Sequence, residues 1–133
     1  MLRASKPAGE ARALPRPPRR RTPVAPALDL QPIEPVIARV VERMEPEEIW
    51  LFGSRAEGRA RPDSDYDLLV VLPDSVPDEA LDLARAWELT CGLGVAADVV
   101  PCTRSECEEE KEAVGTLASA AFRRGRRVYA RRT

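Results

Sequence analysis

Histidine is absent from this 133-residue chain. That absence removes Ser-His-Asp and Cys-His catalysis, His-ligated zinc and ribonuclease chemistry of the Arg/His type. Any chemistry must therefore run on carboxylates, hydroxyls, arginine and bound metal. Aromatic residues make up only 5% of the chain, so its core must be aliphatic. No run approaches the roughly 18 apolar residues of a membrane span, and the N-terminus lacks the apolar segment of a secretory signal. Its arginines and scarce acids have a transit-peptide composition, but eight prolines by Pro35 oppose an amphipathic helix there. The three cysteines, Cys91, Cys102 and Cys107, form no CxxC pair. They read as reduced thiols of a cytoplasmic protein, packing residues rather than ligands.

Apolar residues at 44% and charged residues at 32% support one soluble domain with at most one appendage. The net charge of -1 conceals an asymmetry. Residues 1–30 carry +5, residues 31–122 carry -12, and residues 123–133 carry six arginines and no acid. The stretch 1–31 is rich in Pro, Arg and Ala without apolar periodicity, so it is expected to be disordered. A basic tether for an acidic partner or nucleic acid is one reading of it; a solvated leader without a specific role is the simpler one. Residues 32–133 then form the domain.

Within the domain, Ile33, Val36, Ile37, Val40, Val41 and Met44 fall on one helical face. Pro35 sits where a helix tolerates it, and Pro46 ends the segment. Residues 49–52 read as a buried strand, 55–57 as a helical turn, 59–64 as a loop and 65–72 as a second buried strand. Ser75 to Asp78 has the form of a capping box. The helix it opens would bury Ala80, Leu83, Ala84, Trp87 and Cys91 on one face and end at Gly92. Residues 95–100 read as a third strand, 104–112 as a charged helix and 117–124 as a last helix. Val128 and Tyr129 could add a short strand.

The chemistry gathers in Gly53-Ser54, ten residues, then Asp65-Tyr66-Asp67. Residues i and i+2 of a strand share a face, so Asp65 and Asp67 would project together, flanked by Leu69 and Val71. A bare DxD is more often a solvated loop end, and a lone Gly-Ser is a common turn. Together they say more. A Gly-Ser turn between a buried strand and a helix start leaves backbone N–H groups free for a phosphate. Asp98, centred in the expected third strand, is costly there unless something neutralises it. Three carboxylates around one or two divalent cations, beside a phosphate cradle, suit nucleotidyl transfer.

Gly53-Ser54-Arg55-Ala56-x-Gly58 followed by Ser64-Asp65-x-Asp67-Leu68, with Asp98 one strand later, resembles the polymerase-beta-like nucleotidyltransferases. More closely it resembles their minimal, antitoxin-type members of GSx10DxD form, over roughly Ile33 to Tyr129. The resemblance implies an α/β (α+β) fold, a small mixed sheet with helices packed on one face. It implies Gly53 and Ser54 as the triphosphate-binding pair. Asp65, Asp67 and Asp98 would be catalytic and metal-binding, with Asp98 also the general base. Arg55 and Ser64 would face the nucleotide, although a surface arginine and a loop cap account for them equally well. The implied cofactor is Mg²⁺, with Mn²⁺ an alternative, and the substrate is ATP. AMP would pass to a hydroxyl of a partner protein, a tyrosine of a HEPN-domain toxin, and the chain would act as its antitoxin. The other readings are transfer to a small molecule such as an aminoglycoside, and a non-catalytic antitoxin that works by contact. No membrane and no direct nucleic-acid binding are expected.

Overall fold

The computed structural model describes residues 29–132. The chain enters the fold at Asp29, whose side chain accepts the Gln31 N–H at 3.0 Å; the rest of the leader lies outside the described residues. A 3₁₀ turn at Gln31–Ile33 runs into helix α1, Glu34–Met44. Its periodic residues go inward: Ile33, Val36 and Val40 are fully buried. Glu45 caps the helix in the left-handed conformation, at φ 51°.

Strand β1 (Glu48–Phe52) leads into the one-turn helix α2 (Ser54–Glu57). A loop then reaches β2 (Tyr66–Leu72). Beyond a 3₁₀ turn at Asp78–Leu81 come α3 (Leu83–Glu88) and β3 (Ala97–Thr103). Helices α4 (Arg104–Glu110) and α5 (Leu117–Arg124) precede β4 (Arg126–Ala130). Helix α4 opens on a capping box of Thr103 and Glu106 that a reading for apolar periodicity passes over.

The strands form one mixed sheet in the order β3-β2-β1-β4. β1 is antiparallel to both β2 and β4, while β2 and β3 are parallel. Helices cover both faces of this sheet, rather than the single face expected. On one face Ile49, Leu51, Leu68, Val70, Leu72 and Val99 pack with α1 and Ala86 of α3. On the other, Phe52, Leu69 and Val71 pack with Cys107 of α4 and with Ala118 and Ala121 of α5. β2 is central and buried on both faces, which explains its unbroken apolar run.

Two expected elements shift. No side chain caps the segment after Ser75; the first turn is 3₁₀ and follows Pro77. Asp82 then adopts an extended conformation, and its carboxylate accepts the Ala84 N–H at 2.8 Å. The helix restarts there out of phase. Ala86 turns inward, while Leu83 and Trp87 stand 60% and 61% exposed. The third strand starts two residues later than expected, so Asp98 lies near its exposed beginning instead of mid-strand. Pro101 is tolerated within it because β3 is an edge strand. Among the described residues no helix is long and apolar enough to cross a membrane.

Candidate active site

The carboxylates meet at one end of the sheet. In the ladder between β1 and β2, Asp67 stands opposite Phe52, the residue before Gly53. In the parallel ladder between β2 and β3, Asp67 stands opposite Asp98. Neighbouring strands run about 5 Å apart, so Asp67 has the Gly53 turn on one side and Asp98 on the other. Asp65 precedes β2 on the same approach, exposed to solvent.

Gly53 is required twice over. Its φ of +76° lies in the left-handed region that L side chains avoid. A Cβ at this position would also run into the Asp67 carboxylate. The glycine of the Gly-Ser pair thus exists to let the backbone turn lie against the second aspartate of the DxD. The two halves of the motif, fourteen residues apart in the chain, are one structural unit.

The electrostatics follow from this crowding. Asp67 is held above its ordinary carboxylate range, first by burial and then by the negative charges of Asp98 and Asp65. Among the described residues, no Lys or Arg forms an ion pair with any of the three. Nor, among the described residues, do any three Asp, Glu, His or Cys side chains come together closely enough to hold a metal ion. What stands there is a half-open set of oxygen donors carrying excess negative charge. Such a set suits a hard divalent cation that completes its shell with water and substrate phosphate, as Mg²⁺ does. In kind these donors suit such an ion; in position no three of them gather on one point among the described residues.

Ser54 begins α2, where Gly53 O accepts from the N–H groups of Ala56 and Glu57. That leaves the Ser54 and Arg55 N–H groups, which have no partner earlier in a helix, on the turn that lies against Asp67. The other two residues singled out in the sequence are occupied locally. Arg55 donates to the carbonyl oxygen of Ser64 at 2.8 Å and of Pro62 at 3.1 Å. Its guanidinium also lies 4.4 Å from the Tyr66 ring centre. The Ser64 hydroxyl accepts the Arg61 N–H at 2.8 Å. Both residues brace the loop that delivers Asp65 and Asp67.

Two surface clefts lie elsewhere. One is lined by Met44, Val76, Ala80, Ala86 and Leu89, the other by Leu69, Val100, Pro101 and Leu117. Neither borders Asp65 or Asp98.

The nucleotidyltransferase domain family model matches residues 34–124, which spans every element from α1 to α5. No curated protein is similar enough to the chain to count as a match. Among solved structures, a provisionally named nucleotidyltransferase from Sulfolobus solfataricus shares the fold at a TM-score of 0.54 and 20% identity. That likeness covers 77% of this chain and 80% of the other. A toxin-antitoxin solved with AMP-PNP overlaps more loosely, at a TM-score of 0.43 and 21% identity, over 73% of each chain.

Proposed function

We propose that this chain, which belongs to the nucleotidyltransferase domain family, transfers AMP from ATP to a hydroxyl of a partner protein. The observation that carries the reading is the register that sets Asp67 between Asp98 and the Gly53 turn, with no Lys or Arg ion-paired to them among the described residues.

Each residue has a part. Backbone N–H groups at Ser54, with its hydroxyl, donate to phosphate oxygens. Asp65, Asp67 and Asp98 would hold Mg²⁺ or Mn²⁺, which when bound offsets charge on the triphosphate and acidifies the attacking hydroxyl. Asp98, exposed at the start of β3, accepts the proton of that hydroxyl. The acceptor oxygen then bonds to the α-phosphorus. The bond from that phosphorus to the bridging oxygen breaks, and pyrophosphate leaves. Asp67 has a further role before catalysis. Its raised affinity for a proton comes first from burial and then from the negative charges of Asp98 and Asp65, so a cation arriving there meets a carboxylate that lacks a partner.

The acceptor comes from outside. Transfer needs its oxygen in line at about 3–3.5 Å, and neither cleft described above borders the exposed carboxylates. A partner can dock on the apolar pair Leu83 and Trp87 of α3. That helix packs on the Leu68 and Val99 face of the sheet, opposite the face that Asp67 shares with Leu69, and runs toward the start of β3. Its surroundings hold Asp78, Glu79, Asp82 and Glu88 with Arg85, Arg43 and Arg39, a slight acidic excess on a domain whose residues 31–122 carry -12, which favours a basic partner surface. An RNA-cleaving HEPN-type toxin has that character, and AMP on one of its tyrosines would silence it. The chain would then be the antitoxin.

The test is to incubate the purified chain with Mg²⁺ and α-labelled ATP, with and without the protein encoded beside its gene. The expected result is label on a tyrosine of a small helical protein carrying an Arg-x(4–6)-His motif, and little label without it. Label on small molecules only, or protection of cells by a variant with Asp65→Asn and Asp67→Asn, would overturn the protein-acceptor reading.

A further inference from the structure

The C-terminal arginines are concentrated in a chain segment that the sheet places beside the Gly53 turn. Arg123 and Arg124 end α5, and Arg126 begins β4 opposite Leu51. Between them Gly125 lies so close to the Leu51 carbonyl that no Cβ would fit. The backbone from Arg124 to Arg126 therefore runs alongside the end of β1 at strand spacing, about 5 Å. Arg124 Nε lies 3.6 Å from Glu57 Oε2, at the other end of the single turn that Ser54 begins. Arg123 forms no ion pair among the described residues. Both side chains are exposed at a corner of an otherwise acidic domain. Of the neighbouring arginines, Arg127 pairs with Glu48 at 3.6 Å and Arg131 donates to the Glu45 carbonyl, while Arg126, also exposed, forms no ion pair among the described residues.

The strand order then gives the site a direction. Asp98 on β3 lies at one side, the Gly53 turn and Asp67 at the centre, and the arginines at the β4 side. An in-line displacement has the same order: base and acceptor on one side of the phosphorus, leaving group on the other. We propose that Arg123 and Arg124 bind the β- and γ-phosphates of the nucleotide and stabilise pyrophosphate as it leaves. Negative charge grows on that leaving group in the transition state, where a fixed cation acts most strongly. The inference rests on the nucleotidyl-transfer reading and adds to it the residues that select a triphosphate over a monophosphate.

The experiment is calorimetric titration of the full chain with MgATP, inorganic tripolyphosphate and AMP, for wild type and for Arg123→Gln with Arg124→Gln. The expected result is a loss of about tenfold in affinity for MgATP and tripolyphosphate, about 1.4 kcal/mol, with AMP binding unchanged within twofold. Arg124→Lys should retain most of the tripolyphosphate affinity, since a point charge still serves. Both residues are exposed and Glu57 keeps Arg59 at 3.3 Å, so the melting temperature should not move. Equal affinities in wild type and double variant, or equal weakening of AMP, would overturn the proposal while leaving nucleotidyl transfer standing. A wild type that binds neither MgATP nor tripolyphosphate would overturn both.

Discussion

Two acidic clusters sit at opposite ends of the same sheet and are treated in opposite ways. At the start of β1, Glu47 and Glu48 are neutralised. Arg104 reaches Glu47 at 2.9 Å, Glu48 at 3.3 Å and Glu108 at 3.4 Å. Glu48 also takes Arg127 at 3.6 Å and accepts the Trp50 indole N–H at 2.7 Å. Four residues along, roughly 13 Å away at strand rise, Asp67 has two carboxylates for neighbours and no ion-pair partner among the described residues. The fold could have supplied a cation at both ends. The first end binds strands and helix together through matched charge; the second keeps its charge unmatched among the described residues, which is what the proposed function requires.

Substitution at Asp67 should separate the two ends most sharply. Asp67→Asn keeps the shape and removes the charge. It should abolish label transfer from ATP, yet raise the melting temperature of the metal-free protein by a few degrees at neutral pH. The sign follows from linkage. The folded-state affinity of Asp67 for its proton is raised, so the folded protein holds that proton more tightly than the unfolded chain. Stability is therefore lost as pH rises from the ordinary carboxylate range, about 3.9, through the raised value. Melts in EDTA between pH 3 and pH 7 should show this loss in wild type and its absence in the variant. An Asp67→Asn protein that melts lower than wild type at pH 7 would contradict the contrast.

Gly53→Ala should come next. A Cβ in the left-handed region, pressed on the Asp67 carboxylate, combines strain with a collision. A loss of about 1–3 kcal/mol is expected, seen in chemical denaturation, together with loss of MgATP binding. Arg104→Gln should act on the other cluster alone. Its pairs are partly exposed, so solvent screening limits their worth to about 1–2 kcal/mol in sum. Denaturation should register that loss while nucleotide binding and transfer stay at wild-type levels. Impaired transfer in Arg104→Gln would show that the two ends are coupled.

Much of the fold and of the candidate site was legible in the amino-acid sequence, for physical reasons, while the Glu47, Glu48 and Arg104 cluster was not. The i, i+3, i+4 spacing from Ile33 to Met44 found α1, and unbroken apolar runs found β1 and β2. The spacing of Gly53, Ser54, Asp65, Asp67 and Asp98 located the residues that the sheet register later brings to one end. What escaped depended on tertiary facts. That Gly53 makes room for the Asp67 side chain is visible only once β1 and β2 pair. Leu83 and Trp87 have helical spacing, but Asp82 restarts the helix and turns them outward, so the pattern was right and its phase wrong. Helices on both faces follow from α4 and α5 crossing behind the sheet, which local periodicity does not encode. Thr103 and Glu106 did carry a capping signal, hidden inside an acidic run that reads as a solvated face.

The central claim is that the unneutralised end of the sheet is a site for metal and nucleotide together, and calorimetry tests it most directly. Mg²⁺ alone should bind weakly to the wild-type chain, since three unpaired carboxylates attract it but do not form a closed cage. With ATP present, binding should tighten at least tenfold, and Asp67→Asn should lose that increment while keeping its fold. An Asp67→Asn protein that binds Mg²⁺ and ATP as wild type does would contradict the account.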